Sequence, residues 1–195
     1  MPPQARLRAL VTCSAGIEGV VQRELASFKI QRSRIVQERS GKLLVPSISP
    51  RQLYLCNAGM RTADRIYVEG PSFQAREFWQ LELAFKRVHE QLKQWLRPSV
   101  LTHVRCTSEG GSKLFHERGV EERIRRLLLE PTYSVPPLES AEDDNDAHEQ
   151  QLLVRIVKDK VTLFIDSSGA PLHQRGWRLE AGKMPLRSTV AAAMP

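Results

Sequence analysis

The chain has 195 residues, 41% of them hydrophobic and 26% charged, which fits one large or two small globular domains and excludes a disordered or fibrous protein. No apolar run approaches the ~18 residues that a membrane-spanning helix needs. The three cysteines form no C-x-x-C pair, which argues against a disulfide scaffold and a cysteine zinc site and favours a reducing compartment. The net charge of +7 indicates a polyanionic partner, with nucleic acid as the first candidate.

The charge is unevenly distributed along the chain. Residues 136–150 carry six carboxylates and no Lys or Arg, so the remainder has 29 basic and 16 acidic residues, a net charge of +13. We expect 136–150 to be an acidic loop on a strongly basic body. A basic surface with no specific partner stays open as the alternative.

The first third of the sequence alternates short strands and amphipathic helices. It predicts, in order, a strand at 6–12, a helix at 16–28, strands at 34–37 and 42–45, a helix from Pro50 and a strand at 65–69. The order βαββαβ is that of ferredoxin-like domains. Ser14 is the expected cap of the first helix, and Glu18 and Glu24 are expected to be solvated.

The second part predicts a different set of elements, ending at an apolar tail. These are a helix at 77–96, a strand at 100–107, a turn at 108–113, a helix at 115–130 and strands at 152–157 and 161–165. Pro131, Pro136 and Pro137 lie just before the acidic residues of the loop. A helix is expected to start near Pro185, and it shows no end signal, which predicts that the chain continues into a further domain.

No catalytic or metal-binding constellation is evident. The five histidines lack metal-ligand spacing, and the three cysteines lie in apolar elements where a buried thiol is the default. The run 110–113 (GGSK) follows a strand and precedes a helix, so its amides could hold one phosphate or form a plain turn. The turn 166–169 resembles the glycine turn that binds S-adenosylmethionine, but Ala170-Pro171 follows it, and we reject it as a cofactor site.

The segment 172–178 (LHQRGWR) interleaves arginines with aromatic rings. Arg175, Arg178 and Lys183 could contact phosphates, while Trp177 and His173 could stack on an unpaired base. Burial of Trp177 as a core anchor is an equally good interpretation.

Four stretches carry a family resemblance. They are 164–178 with its continuations 180–181 and 185–193, 12–25 (TCSAGIEGVVQREL), 57–66 (NAGMRTADRI) and 104–124. They resemble the bacterial large-subunit (23S) ribosomal RNA (guanine-N2)-methyltransferases that contain a THUMP domain, long labelled adenine-specific DNA methylases. Arg187-Ser188 stands where that family often has an acidic residue, and 136–150 looks like an insertion.

The resemblance implies an α+β fold in which a ferredoxin-like domain (1–71) precedes an α/β THUMP domain (72–180, with the insertion at 136–150). Residues 181–195 would then be a linker and the start of a methyltransferase domain that this chain lacks. S-adenosylmethionine would bind in that missing domain, and this chain would hold no cofactor. No Asn-Pro-Pro-Tyr or Asp-Pro-Pro-Tyr motif occurs in the sequence.

The implied function is to bind ribosomal RNA, structured or single-stranded, and to position it for a paired C-terminal methyltransferase domain. The residues expected to face RNA are Arg105, Ser112, Lys113, Arg118, Lys160, His173, Arg175, Trp177, Arg178 and Lys183. A stand-alone, non-catalytic ribosome-assembly or structural factor is the alternative, and a THUMP module for tRNA thiolation or methylation is a weaker one. We expect a cytoplasmic protein without a membrane partner, or a protein of the organellar matrix if the source is eukaryotic.

Overall fold

A computed structural model describes residues 6–96, 102–129, 150–174 and 186–194. The chain divides into two compact units. Unit 1 contains Met1–Val68 and Ala170–Pro195, and unit 2 contains Glu69–Gly169. Across the described residues, no helix combines the length and the apolar character that crossing a membrane requires.

Unit 1 begins with elements in the predicted order βαββαβ. They are β1 (Leu7–Thr12), α1 (Glu18–Ser27), a short 3-10 helix (Arg32–Arg34), β2 (Val36–Arg39), β3 (Lys42–Ile48), α2 (Pro50–Gly59) and β4 (Arg65–Gln74). The strand predicted from Arg34 begins two residues later, because the 3-10 helix occupies 32–34. A further short helix, α5 (Ser188–Ala191), belongs to the same unit through the chain's tail.

The strands of unit 1 lie in the order β2-β3-β1-β4. All three neighbouring pairs are antiparallel, with Leu10 opposite Leu44 on one side and opposite Tyr67 on the other. The alternation of residues along β1 and β3 sends one set of side chains toward α1 and α2. That apolar core contains Val11, Val21, Leu25, Leu43, Ile48, Cys56, Met60, Ile66 and Leu172, among others.

The two helices of unit 1 begin in different ways. α2 starts with the predicted Ser49-Pro50, and Ser49 and Gln52 form a reciprocal capping box. The predicted cap of α1 at Ser14 is wrong, because the helix begins after Ile17 and has no side-chain cap. A turn centred on Gly16, with φ of +93°, delays the helix start.

Glu18 and Glu24 are not solvated as predicted. Glu18 is buried, and its carboxylate accepts hydrogen bonds from the amides of Gly41 (2.6 Å) and Gly16 (3.0 Å). These amide donors, that of Gly41 above all, lower the pKa of Glu18. Glu24 accepts from the amides of Arg61 and Thr62 and from the Thr62 hydroxyl. Both carboxylates therefore hold loops in place across long sequence separations.

β4 is longer than predicted. The sequence suggested that Gly70-Pro71 ends the strand, yet it continues to Gln74. Glycine allows close packing inside the strand, because a Cβ at Gly70 would lie 2.8 Å from Ile165 Cδ1 and 3.2 Å from the carbonyl oxygen of Leu163. The glycine marks a close approach within unit 2 and not the end of the strand.

Unit 2 takes the second half of β4 and adds two helices and three strands. They are α3 (Phe78–Lys93), β5 (Thr102–Glu109), α4 (Glu117–Leu129), β6 (Gln150–Val157) and β7 (Lys160–Asp166). The strand order is β4-β7-β6-β5. β6 runs parallel to β5 and antiparallel to β7. The predicted mixed α/β composition is confirmed.

Both helices of unit 2 pack through one apolar face. The core contains Leu81, Phe85, Leu92, Val104, Val120, Ile124, Leu152, Leu163 and Ile165, among others. At the contact between α3 and α4, the Arg123 guanidinium lies 3.8 Å from the ring centroid of Phe78 and pairs with Glu82 at 3.2 Å. Gly119 keeps α4 close to Phe78, whose ring a Cβ would meet at 3.2 Å.

Candidate nucleic-acid interface

One carboxylate, that of Asp159, joins three segments of unit 2. Its Oδ1 accepts a hydrogen bond from the Lys113 amide at 2.8 Å, and its Oδ2 pairs with Arg76 Nε at 3.2 Å. Its own amide donates to Ser112 Oγ, and its carbonyl oxygen accepts from the Ala75 amide at 3.0 Å. The end of β4, the loop after β5 and the β6–β7 turn are therefore fixed beside one another.

Four cationic side chains lie on the segments that Asp159 joins. Lys158 and Lys160 flank it in the β6–β7 hairpin, Lys113 follows from the loop after β5, and Arg76 pairs with it directly. All four residues are exposed, and the Arg76 side chain is 65% accessible although its Nε is paired. We call Arg76, Lys113, Lys158 and Lys160 the rim.

The backbone explains why the rim is presented this way. Lys158 and Asp159 both adopt the left-handed region, with φ of +49° and +64°, as a tight two-residue hairpin turn requires. Gly110 and Gly111 also have positive φ, +71° and +72°. A Cβ at Gly110 would lie 3.5 Å from Lys158 Cγ, so the loop and the hairpin are in direct contact.

A shallow groove of about 470 Å³ adjoins the rim at Arg76. Trp79 lies in its lining with 60% of its surface exposed, and its indole N–H donates to the Glu77 carboxylate at 2.7 Å. Leu83 and Arg87 continue the lining along α3. An exposed ring fixed by a hydrogen bond and flanked by two arginines suits stacking on a base next to phosphates.

The structure separates the residues predicted to face RNA. Lys113 and Lys160 lie together in the rim. Ser112 is buried, and its hydroxyl donates to the Glu109 carbonyl oxygen at 2.7 Å while accepting from the Asp159 amide, so it supports the loop from within. Arg105 and Arg118 are exposed, but in the described part of the chain no hydrogen bond or ion pair connects them to the rim.

The aromatic and basic cluster before the tail is only partly described. His173 is half-buried, and its Nδ1 is buried without a hydrogen-bond partner among the described residues. Arg175, Trp177, Arg178 and Lys183 lie outside the described residues.

The described part of the tail is held by unit 1. The Asp64 carbonyl oxygen accepts from the Leu172 amide at 2.8 Å, and its Oδ1 accepts from the Thr189 hydroxyl at 3.2 Å. The same Oδ1 pairs with Arg187 Nη2 at 3.1 Å. Arg187 stands where the family that the chain resembles often has an acidic residue, and in this chain its partner is Asp64.

The loop of Gly110–Lys113 gives little support to a phosphate site of its own. The Lys113 amide, which could have faced a phosphate, already donates to Asp159. The turn after β7 likewise does not fit S-adenosylmethionine. Its Ser168 amide donates to Asp166 Oδ1 at 2.8 Å, and the described residues that follow Gly169 form a turn and not a helix.

The cysteines are buried as the sequence predicted. Burial raises the pKa of each of Cys13, Cys56 and Cys106 to about 12, which keeps the thiols protonated near neutral pH. Among the residues that the structure describes, no three His, Cys, Asp or Glu side chains come together in a way that could hold a metal ion.

Sequence reasoning missed four residues of this surface: Arg76, Trp79, Arg87 and Lys158. A signal for Trp79 was present, because the buried positions of α3 are Leu81, Phe85, His89 and Leu92, a spacing that leaves Trp79 on another face. Nothing in the local sequence places Arg76 beside Lys158, since Asp159 brings them together only in the fold.

The chain is similar over most of its length to proteins named as RNA or DNA methyltransferases. It is 25% identical over 194 residues to the candidate RNA methyltransferase YpsC of Bacillus subtilis, a match that covers 95% of this chain and 46% of that protein. It is 28% identical over 191 residues to the ribosomal RNA large subunit methyltransferase K/L of Vibrio cholerae, covering 95% of this chain and 25% of that protein. No protein-family model matches the chain.

Solved structures of methylases share the fold. A predicted N6-adenine-specific DNA methylase from Listeria monocytogenes superposes with a TM-score of 0.70 at 26% identity, over 97% of this chain and 47% of that one. SMU.472, a candidate methyltransferase complexed with SAH, superposes with a TM-score of 0.69 at 25% identity, over 97% of this chain and 48% of that one. The chain thus spans between a quarter and a half of the length of these proteins. The matches agree with the resemblance to large-subunit ribosomal RNA methyltransferases.

Proposed function

We propose that this chain is the RNA-binding, substrate-positioning part of an S-adenosylmethionine-dependent methyltransferase of large-subunit ribosomal RNA. In this proposal residues 1–71 are a ferredoxin-like domain and residues 72–180, with an insertion at 136–150, are a THUMP domain. The catalytic domain and its cofactor site lie outside the 195 residues. RNA is bound through the rim and the neighbouring Trp79 groove.

The observation that carries the proposal is the geometry of the rim. A single carboxylate joins the three backbone segments that carry four exposed cations, and one carboxylate among four cations leaves a local surplus of positive charge. Such a surplus binds phosphates by releasing counterions, so affinity falls steeply as salt rises. Trp79 adds a ring that can accept an unpaired base of any sequence.

Support for the wider assignment comes from the relatives and from unit 1. The order β2-β3-β1-β4 with antiparallel neighbours is the arrangement expected of a ferredoxin-like domain. The relatives that match over 95% of this chain are named as RNA methyltransferases and are longer than it. The absence of an Asn-Pro-Pro-Tyr motif and the unsuitable turn after β7 favour a cofactor site elsewhere.

The test is RNA binding by the 195-residue chain across a salt series. The probe is a structured fragment of large-subunit ribosomal RNA, and the rim variant combines Arg76→Gln, Lys113→Gln, Lys158→Asn and Lys160→Gln. Asparagine at 158 tolerates the left-handed backbone. Loss of four phosphate contacts should flatten the slope of log affinity against log salt by about 3.

The control neutralises four other exposed cations of unit 2, with Lys86, Lys93, Arg125 and Arg126 each changed to Gln. It makes the same change in net charge on the helices. An equal loss in both variants would contradict a localised interface. Undetectable binding by the wild type would contradict RNA binding itself, and salt-insensitive binding would contradict an interface built on phosphate contacts.

A further inference from the structure

Unit 1 contains a cleft of about 510 Å³ that the interface in unit 2 does not use. Three cationic residues line it, and each comes from a different segment. Arg6 immediately precedes β1, Lys29 follows α1 and Arg34 ends the 3-10 helix. The described lining contains no carboxylate; its other polar groups are hydroxyls and carboxamides.

The cations of this cleft are not neutralised by nearby carboxylates. Within the described ranges none of the three pairs with a carboxylate, although Arg6 Nη1 donates to Ser47 Oγ at 3.4 Å. All three residues are exposed. Three unpaired positive charges around one concave surface repel one another, and an anion placed between them relieves that repulsion.

The walls of the cleft are also fixed before any ligand arrives. Lys29 adopts a left-handed backbone with φ of +61°, which a non-glycine residue rarely adopts. The Gln52 carboxamide donates to the carbonyl oxygens of Lys29 (3.0 Å) and Phe28 (3.3 Å). Gln52 is itself held by the capping box with Ser49, so helix α2 sets the position of Lys29.

We propose that this cleft is a phosphate-binding subsite for an RNA backbone. The proposal rests on the proposed function and adds a contact in the other unit. The occupant is a phosphodiester, because the cleft offers three cations and hydroxyl donors but no aromatic side chain on which a base could stack. The subsite therefore contributes affinity without reading sequence.

The test combines Arg6→Gln, Lys29→Asn and Arg34→Gln in the 195-residue chain, with asparagine chosen for the left-handed backbone. Its matched control changes Arg23, Arg51 and Arg61 to Gln, which removes the same charge from exposed positions of unit 1 outside the cleft. Both are titrated with the same ribosomal RNA fragment across the salt series. The cleft variant should flatten the salt slope by about 2 to 3, and the control by less than 1.

The possible outcomes separate this inference from the proposed function. If the cleft variant matches its control while the rim variant loses binding, the subsite is refuted and the RNA-binding function stands. If the wild type binds no RNA, both are refuted. The thermal unfolding midpoint of the cleft variant, which replaces only exposed side chains, should stay within a few degrees of the wild type and so exclude misfolding as the cause.

Discussion

Asp64 in unit 1 and Asp159 in unit 2 have the same structural role, one in contact with a buried side chain and the other at an exposed surface. Each carboxylate joins segments that are distant in sequence. Asp64 holds Thr189, which is fully buried, and the Arg187 side chain, which is half exposed. Asp159 holds a loop amide and Arg76, and exposed lysines surround it. In one unit the carboxylate secures the tail of the chain, and in the other it organises a surface.

The comparison shows two structural roles of carboxylates in a protein with a surplus of basic residues. In unit 1 Glu18, Glu24 and Asp64 accept from backbone amides or buried hydroxyls, so their charges are committed to structure. In unit 2 Asp159 fixes the backbone beneath four cations and neutralises only part of their charge. We therefore expect substitutions of these unit 1 carboxylates to change stability and substitutions beside the rim to change RNA affinity.

The largest effect is expected for Asp64→Ala. Removing the carboxylate leaves the buried Thr189 hydroxyl without its acceptor and breaks the pair with Arg187, which should cost about 2 to 4 kcal/mol of unfolding free energy. Chemical denaturation measures this loss. RNA affinity of the folded fraction should be unchanged.

The control for that substitution is Glu90→Ala, which removes an exposed helix pair with Lys93 and should leave the unfolding free energy almost unchanged. An Asp64→Ala protein as stable as this control would show that Asp64 does not anchor the tail.

Trp79→Ala is expected to lower RNA affinity and to leave stability nearly unchanged. Loss of one stacked base should weaken binding of an RNA with unpaired nucleotides by about 1 to 3 kcal/mol, or roughly 5- to 150-fold. Because Trp79 is 60% exposed, stability should change by no more than about 0.5 kcal/mol. Fluorescence anisotropy with a labelled RNA measures the affinity.

Two variants sharpen this result. Trp79→Phe retains a ring and should restore most of the affinity. Trp95→Ala removes another exposed tryptophan, one that lies just beyond the C-terminal end of the same helix and outside the groove, and should have little effect. Equal losses for Trp79→Ala and Trp95→Ala would count against a specific stacking site.

The sequence was informative where local patterns determine structure. Hydrophobic periodicity located the helices and strands to within a few residues, and Ser49-Pro50 fixed the start of α2 because capping depends on neighbouring residues. Gly70 was misleading, since its role depends on Ile165 and Leu163, which lie more than ninety residues away in the sequence.

The candidate site was harder to predict from the sequence, because contacts between distant segments form it. Lys113 and Lys160 could be selected from charge alone, but Ser112 was selected for its residue type and is buried. Arg76 joins the surface only through Asp159, a partner that no local pattern identifies. The cleft in unit 1 likewise depends on three segments that meet after folding, so its cations carry no common motif.

The smallest and most specific effect concerns Glu18 and pH. Amide hydrogen bonds lower the pKa of Glu18 in the folded protein, so the unfolded chain takes up this proton first as the pH falls. The stabilisation by Glu18 is therefore complete above the ordinary carboxyl pKa of about 4.5 and is lost as the pH falls through the lower value of the folded state. Glu18→Gln replaces one of the two carboxylate oxygens with an NH2 group, so either the Gly16 or the Gly41 amide loses its acceptor, which should cost about 1 kcal/mol at neutral pH. The gap between wild type and variant, followed by thermal unfolding, should close on acidification, whereas exposed Glu122→Gln should match the wild type throughout. A gap that stays constant from neutral to acidic pH would mean that the variant acts through packing and not through the charge on Glu18.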